Sequence, residues 1–552
     1  MSLPRQSPPA RPHEPLLAFF NPSNHMPRAI RRQSEFFVFF AHTIFPLLER
    51  YRERLDAAYC STNGRPAWDP VRLLAVLILQ FVLRVPDRQA AESVQYDLRW
   101  RLALHMDLHE QTFDPTVLVV FRNRLIQGAM AELAFEAVLD HLVEQGWIPR
   151  RSRQRLDSTH VRGLLSVMSR LECVRETIRL FLEDVEDQGS FPETWADYWD
   201  RYVEKKIDPR SKTSALESLF VQAGGDVLAI INEVSGTGPL VARDSFALLQ
   251  RVFQENYLVD EQETVQQTRA QPTGAVQNPH EPEAQWSSKS TTKDKTWVGY
   301  KAQVAETVQE EPRESGEPTA NFLTAIITQD APASDKAGMA EVLIEQEKMG
   351  LEKPSTLYVD GGYVSSEALN DAREQSRELL GPAPASPDRG KVFTLDPFDV
   401  QVEQRYALCP AGQRSSNCSQ LQDGDKVVYR IEWSNRVCGA CPLRDQCVPA
   451  GQKHRTFVVG ALYSLLQERR RAMKTEDFKK EMHRRNGIES TQSELVRGYG
   501  LRQARYRGKA RNRLQNYLIG AACNIRRLFR RLAWIAMQTG GVTTVRPSNV
   551  KG

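Results

Sequence analysis

RQRLDSTHVRG, residues 153–163, reads as a short strand carrying Asp157. Two further strand-like runs follow it, TWVGYKAQVAETV (296–308) and NFLTAIITQD (321–330). SDKAGMAEVLIEQEKMG, 334–350, reads as a helix and leads into the buried strand TLYVD, 356–360, which ends in Asp360. The order is strand, strand, strand, helix, strand. Asp157 and Asp360 alone are weak signals, because Asp often ends a strand and Asp-Gly-Gly is a turn signal.

A third acid lies far downstream in HRRNGIESTQSELVRGYGLRQARYRGKARNR, residues 483–513. Glu489 sits there after a basic cluster, at the end of a long basic helix pattern, LYSLLQERRRAMKTEDFKKEMHRRNGIES (462–490). A carboxylate among so many cations is either ion-paired or a metal ligand placed where a polyanion is gripped. Asp and Glu are hard oxygen donors suited to Mg²⁺ or Mn²⁺, which bind phosphate oxygens as well. Two such ions can activate a hydroxyl nucleophile and stabilise a leaving oxygen.

These segments together resemble the DDE transposases of bacterial insertion sequences. Arg485-x3-Glu489 matches the R-x3-E part of that family's Y-x2-R-x3-E-x6-K signature. Met482 stands at the tyrosine position and Val496 at the lysine position, with Arg497 beside it. The likeness is greatest to the eleven-eighty-two insertion-sequence group and covers most of residues 60–535. It implies an α/β, ribonuclease H-like catalytic domain over 149–535, in which the first and fourth strand ends meet. Asp157, Asp360 and Glu489 would be both catalytic residues and the ligands of two Mg²⁺ (or Mn²⁺) ions. The implied activity is metal-dependent cleavage at element ends and strand transfer into target DNA. Double-stranded DNA, as terminal inverted repeats and target, would be the partner, and a homodimer is expected. Arg485, Arg497, Arg502, Arg505, Arg507 and Lys509 are the candidate DNA-binding residues, since Arg and Lys hold phosphates. Tyr499 and Tyr506 could stack on bases. The alternatives are an inactive, transposase-derived DNA-binding repressor and a metal-dependent nuclease. His160 could contact DNA or the metal's water, or be a hydrogen-bonded surface residue. Lys295, Tyr300 and Lys301 lie on a strand near which a substrate strand could run, or on a solvated face.

A chain of 552 residues exceeds one core. Its 41% hydrophobic and 26% charged content is that of a soluble globular protein. A net charge of +4 says nothing about nucleic acid, but its distribution does: Arg484–Arg531 is rich in arginine. The longest apolar run, VRLLAVLILQFVL, falls short of the roughly 18–20 residues a membrane span needs. The Pro-rich N-terminus lacks a signal peptide's apolar core. A cytoplasmic, nucleoid-associated bacterial protein is expected, with no membrane partner.

Residues 1–30 read as a disordered arm and 31–148 as a helical N-terminal domain, which the resemblance associates with DNA binding. Asp69 and Pro70 form a helix-start signal. Residues 170–265 read as a helical insertion. The acidic lean of its Phe181–Asp208 stretch argues against tight contact with DNA backbone. A cysteine-rich insertion spans 400–455, and 536–552 read as a disordered tail. Five of the eight cysteines fall in that insertion: Cys409, Cys418 and Cys438-x2-Cys441-x5-Cys447, with His454 nearby. C-x2-C is a usual zinc half-site. Cys418, Cys438, Cys441 and Cys447 are the candidate structural Zn²⁺ ligands. One of the five must be spare, and an iron–sulfur cluster or plain thiols are the alternatives.

Overall fold

The computed structural model describes residues 1–4, 7–20, 28–60, 62–189, 191–206, 212–235, 238–289, 296–310, 314–387, 390 and 392–539. It is a mixed α/β structure, with a curled sheet among many helices. Strand β1 (Arg153–Arg162) lies at its centre. It pairs antiparallel with β2 (Thr296–Thr307), from Gln154 opposite Thr307 to Arg162 opposite Gly299. β3 (Leu323–Asp330) pairs antiparallel with the other edge of β2, and Gln285–Ser288 extends that edge. On its far side β1 runs parallel to β4 (Thr356–Tyr358), which runs parallel to β5 (Glu378–Leu380).

Helix α1 (Pro70–Leu83) starts as the sequence predicts: the Asp69 carboxylate accepts the Arg72 amide at 2.9 Å, with Pro70 at the first position. It is buried on nearly every side, because it is apolar all round. The terminal helix, Lys509–Gln538, packs between α1 and β3. Gly520 permits this approach, since a Cβ there would stand 2.7 Å from Ile326 and 2.8 Å from Phe135. The N-terminal helices, the terminal helix and one sheet face therefore share one core, including Val76, Phe135, Tyr300, Ile326 and Leu518. Within 1–30, Glu14–Phe19 is helical, and Leu16 and Phe20 are buried with Ala41 and Leu102. Composition does not reveal that pocket. Residues 540–552 of the expected tail lie outside the described residues, while 536–538 end the terminal helix.

Between β1 and β2, helices α2 (Arg170–Glu186), α3 (Thr213–Val234) and α4 (Asp244–Asn256) enclose their own core around Phe181, Trp195, Val227 and Phe246. α3 is long and apolar enough, by length and composition alone, to cross a membrane. Two of its three acids are engaged within this unit: Asp226 accepts from Tyr202 at 2.5 Å and Glu233 from Trp195 at 2.8 Å.

α5 (Asp335–Lys348) precedes β4. The cysteine region contains a three-stranded antiparallel sheet: β6 (Asn417–Asp423), β7 (Lys426–Glu432) and β8 (Thr456–Gly460). The basic stretch after it is not the one long helix its pattern predicts. It breaks into Tyr463–Ala472, Glu476–Met482, a 3₁₀ turn at His483–Asn486 and α6 (Gly487–Tyr499). Thr475 causes the first break, since its hydroxyl accepts the Phe478 amide and starts a new helix. Gly500, at φ +75°, ends α6 in the left-handed conformation.

Candidate active site

Side chains alternate along a strand, so Arg155, Asp157 and Thr159 share one face of β1. The 484–504 segment covers it. Arg485 donates to the Asp157 carboxylate at 3.3 Å, and Gln492 donates to the Ser158 carbonyl at 3.2 Å. Farther on, the Arg162 amide donates to the Arg502 carbonyl and the Ala504 amide to the Arg162 carbonyl.

Asp360 lies two residues past β4. Its carboxylate accepts the Gly362 amide at 2.8 Å, capping a 3₁₀ turn. Because β4 runs parallel to β1, the turn arrives beside Asp157, and Arg485 reaches Asp360 at 3.8 Å as well. One guanidinium thus bridges two carboxylates carried on neighbouring parallel strands. Glu489 lies in the first turn of α6, after Arg485 in the 3₁₀ turn and three residues before Gln492. Its side chain is exposed. Among the described residues, no group of three or more His, Cys, Asp or Glu side chains is arranged to hold a metal ion. Asp157 and Asp360 are together on Arg485, and Glu489 stands apart from them.

Sequence reasoning missed two acids here. Asp335 opens α5 beside the Asp360 turn, bonded to Lys301 at 3.2 Å and to Gln303 at 3.4 Å. Its place at a helix start beside Ser334 was the available signal. Glu306 on β2 is fully buried, accepting from Arg155 at 2.7 Å, Arg527 at 2.8 Å and Thr491 at 2.7 Å. It binds β1, α6 and the terminal helix together.

Burial pushes the Asp157 carboxyl above its ordinary value, Arg485 and the Ser158 amide pull it down, and Asp360 pushes it up again. The net rise means that ionised Asp157 is less favourable in the folded chain than in the unfolded one. Its cost is absent below the unfolded pKa and appears as pH rises through the folded pKa. Asp157→Asn is therefore expected to melt at or above the parent's temperature near neutral pH. The gap should close below about pH 4, the ordinary Asp value. Thermal denaturation across pH checks this, and a lower midpoint for the variant at neutral pH contradicts it. His160 is pushed down to about 4, first by burial and then by Arg502, Lys289 and Arg162. It is a neutral ring packed 5.4 Å from Trp297.

The Glu489 helix starts at a close approach. A Cβ on Gly487 would stand 1.9 Å from the Arg155 guanidinium, which Glu306 and the Arg484 carbonyl hold at 2.7 and 2.8 Å. Gly487→Ala gains helix propensity of about 1 kcal/mol, but overpacking a pinned group costs about 1–3 kcal/mol. A net loss of stability is expected. A denaturant midpoint equal to or above the parent's would show that Arg155 yields.

The departures from the resemblance have a packing explanation. Met482 lies in an apolar cluster with Val308, Tyr358, Leu380 and Phe478. Val496 packs against the main core. Of the candidate DNA-binding residues, Arg497, Arg502 and Arg507 are exposed. Arg505 donates to the Val85 carbonyl at 2.8 Å, over the Phe81 ring, and Lys509 pairs with Asp330 at 2.9 Å. Tyr499 is buried and Tyr506 mostly so, under Arg122, so neither offers a stacking face. Lys295 lies outside the described residues, Tyr300 is buried, and Lys301 is committed to Asp335 and the Ala333 carbonyl.

In the cysteine region the structure brings together a different four from those the sequence suggests. Cys409, Cys438, Cys441 and Cys447 line one small cavity. Cys418 lies on β6 opposite Ile431, outside it.

Residues 408–529 match a family model described as Transposase DDE domain, and residues 25–124 match one described as Transposase domain (DUF772). The two matches support a DDE transposase family. The first DDE transposase match spans Glu489 and the cysteine region, while Asp157 and Asp360 lie outside both matched ranges. A transposase function carries with it DNA as the partner and a nucleic-acid-processing activity. No curated protein matches the chain.

Proposed function

We propose that this chain is a DNA transposase with a ribonuclease H-like catalytic core, which cuts at the ends of its element and joins them to target DNA. The observation that carries the reading is the convergence of Asp157 and Asp360 on one cationic group, at 3.3 and 3.8 Å. The sheet supports it: the strand order β3, β2, β1, β4, β5 has its parallel pairs on one side of β1 and its antiparallel pairs on the other.

The chemistry of the donors suits a divalent cation once Glu489 joins the two aspartates. Asp157 and Asp360 are hard oxygen donors already drawn onto a positive charge, and Glu489 is one helical turn from Arg485. A bound Mg²⁺ or Mn²⁺ would stabilise charge on the phosphate oxygens and ease deprotonation of the nucleophile. The carboxylates of Asp157, Asp360 and Glu489 would hold it. Arg485 then exchanges its carboxylate partners for a phosphate of the bound strand. Arg497, Arg502 and Arg507 contact the DNA backbone from the exposed side of the same segment. In cleavage a water oxygen bonds to phosphorus, the bond to the 3′ oxygen breaks, and a 3′-hydroxyl is freed. That hydroxyl attacks a target phosphodiester in line, forming one bond to phosphorus and breaking another. The expected assembly is a homodimer on paired ends.

The test is a cleavage and strand-transfer assay on linear DNA carrying the element's own ends, with Mg²⁺ or with chelator, and an Asp157→Asn control. Joined products that need the metal and vanish in the variant support the proposal. Cut but never joined ends point to a nuclease. Binding without cutting points to a repressor.

A further inference from the structure

The cavity in the cysteine region is the feature that the transposase chemistry does not use. Its volume is about 20 Å³, just above the roughly 10–15 Å³ that one water occupies. It therefore fits a single atom-sized guest. Its lining includes four cysteines, Cys409, Cys438, Cys441 and Cys447, together with Trp433 and Val448. Cys438 and Cys447 are buried, and Cys409 and Cys441 are half-buried.

We propose that these four cysteines form a structural Zn²⁺ site and that Cys418 takes no part in it. Three local devices present the sulfurs. Cys409 opens a turn closed by the Gly412 amide donating to the Cys409 carbonyl at 2.8 Å, with Gly412 at φ +73°. Cys438 lies in a short helix capped by Ser434, whose hydroxyl accepts the Val437 amide. Cys441 starts the turn that leads, through Arg444, to Cys447. As they stand, no three of these side chains are arranged to hold an ion. A cysteine side chain has a single torsion to its sulfur, so closure on an ion asks only for small rotations.

The surroundings suit a thiolate cage. Four thiolates on one Zn²⁺ carry a net charge of −2, and binding releases the thiol protons to solvent. Arg444 and Arg455 both line the cavity. Arg455 is anchored by the Cys447 and Phe393 carbonyls at 2.8 and 2.9 Å, and its amide donates to the Cys438 sulfur at 3.5 Å. A sulfur that already accepts an amide hydrogen bond is oriented as a ligand's is. His454 is bonded to Asn435 at 2.7 Å and lies outside the cavity lining.

The experiment is elemental analysis of the purified full chain, combined with Co²⁺ substitution and thiol titration. One zinc per chain is expected, together with the charge-transfer and ligand-field absorption of a tetrahedral sulfur site when Co²⁺ replaces it. Chelation should make four further thiols reactive. Cys418→Ser should keep its full zinc content, and Cys409→Ser should lose it. Should Cys409→Ser fail to fold, the spectrum and thiol count of the unsubstituted chain still decide. A chain without metal whose thiols titrate freely overturns the proposal. So does iron in place of zinc, a Cys438–Cys441 disulfide, or zinc lost with Cys418 and retained without Cys409.

Discussion

Asp360→Asn is expected to lower DNA cleavage by about 10³-fold or more, while binding of the element's ends stays near the parent's. Removing one group that stabilises transition-state charge costs about 10²–10³-fold, and Asp360 would be a metal ligand besides. The substituted side chain would still fit the turn, because an amide oxygen can accept the Gly362 amide that Asp360 accepts at 2.8 Å. What is lost is a negative charge beside Asp157, and with it half of what draws Arg485 inward. The exposed arginines Arg497, Arg502 and Arg507 are untouched, so affinity measured by mobility shift should not follow activity. Retained cleavage would remove Asp360 from the reaction. Lost binding together with lost cleavage would show that the turn, rather than the charge, matters.

Glu306→Ala is expected to cost about 3–5 kcal/mol of stability, the usual result of removing one partner from a buried ion pair. Glu306 is fully buried, and its two cationic partners, Arg155 and Arg527, are nearly so. Arg527 keeps Glu494 at 2.8 Å, but the Arg155 guanidinium would be left with only the Arg484 carbonyl. Arg155 also lies against Gly487 at the start of the Glu489 helix, and Thr491 on that helix bonds Glu306 directly. The variant should therefore lose cleavage even at temperatures where it is folded. Glu306→Gln, which keeps the shape and one acceptor, should lose less of both. Chemical denaturation checks the stability arm. A midpoint shift worth less than about 1 kcal/mol would mean that apolar packing, rather than this network, holds α6 to the sheet.

The sequence is most legible where local chemistry is strong. The Asp69–Pro70 helix start and the runs that become β1 to β4 can be read because apolar patterning and capping act within a few residues. Asp360 can be singled out because it closes a strand-like run, whereas Asp157, expected at a strand end, lies in the middle of β1. The matched ranges at 25–124 and 408–529 agree with the transposase likeness at the level of the family. The long basic helix is misread from sequence, because a side chain such as Thr475 can end a helix whose charge pattern continues through it.

By itself, then, the sequence determined the runs that become β1 to β4, the start of α1, and three acids that could serve as oxygen donors. Only the tertiary structure decided their company. Arg485 bridges Asp157 and Asp360 because β1 and β4 are parallel neighbours, and that pairing joins residues some 200 apart in the chain. Glu306 looks like an ordinary strand glutamate until burial forces it to find Arg155 and Arg527. Cys409 rather than Cys418 joins the other three because Cys418 lies on β6, outside the cavity that the 409–412 turn reaches. Spacing along a chain constrains neighbours within a turn or two. Contacts across a core are set by how the elements pack, which no local pattern records.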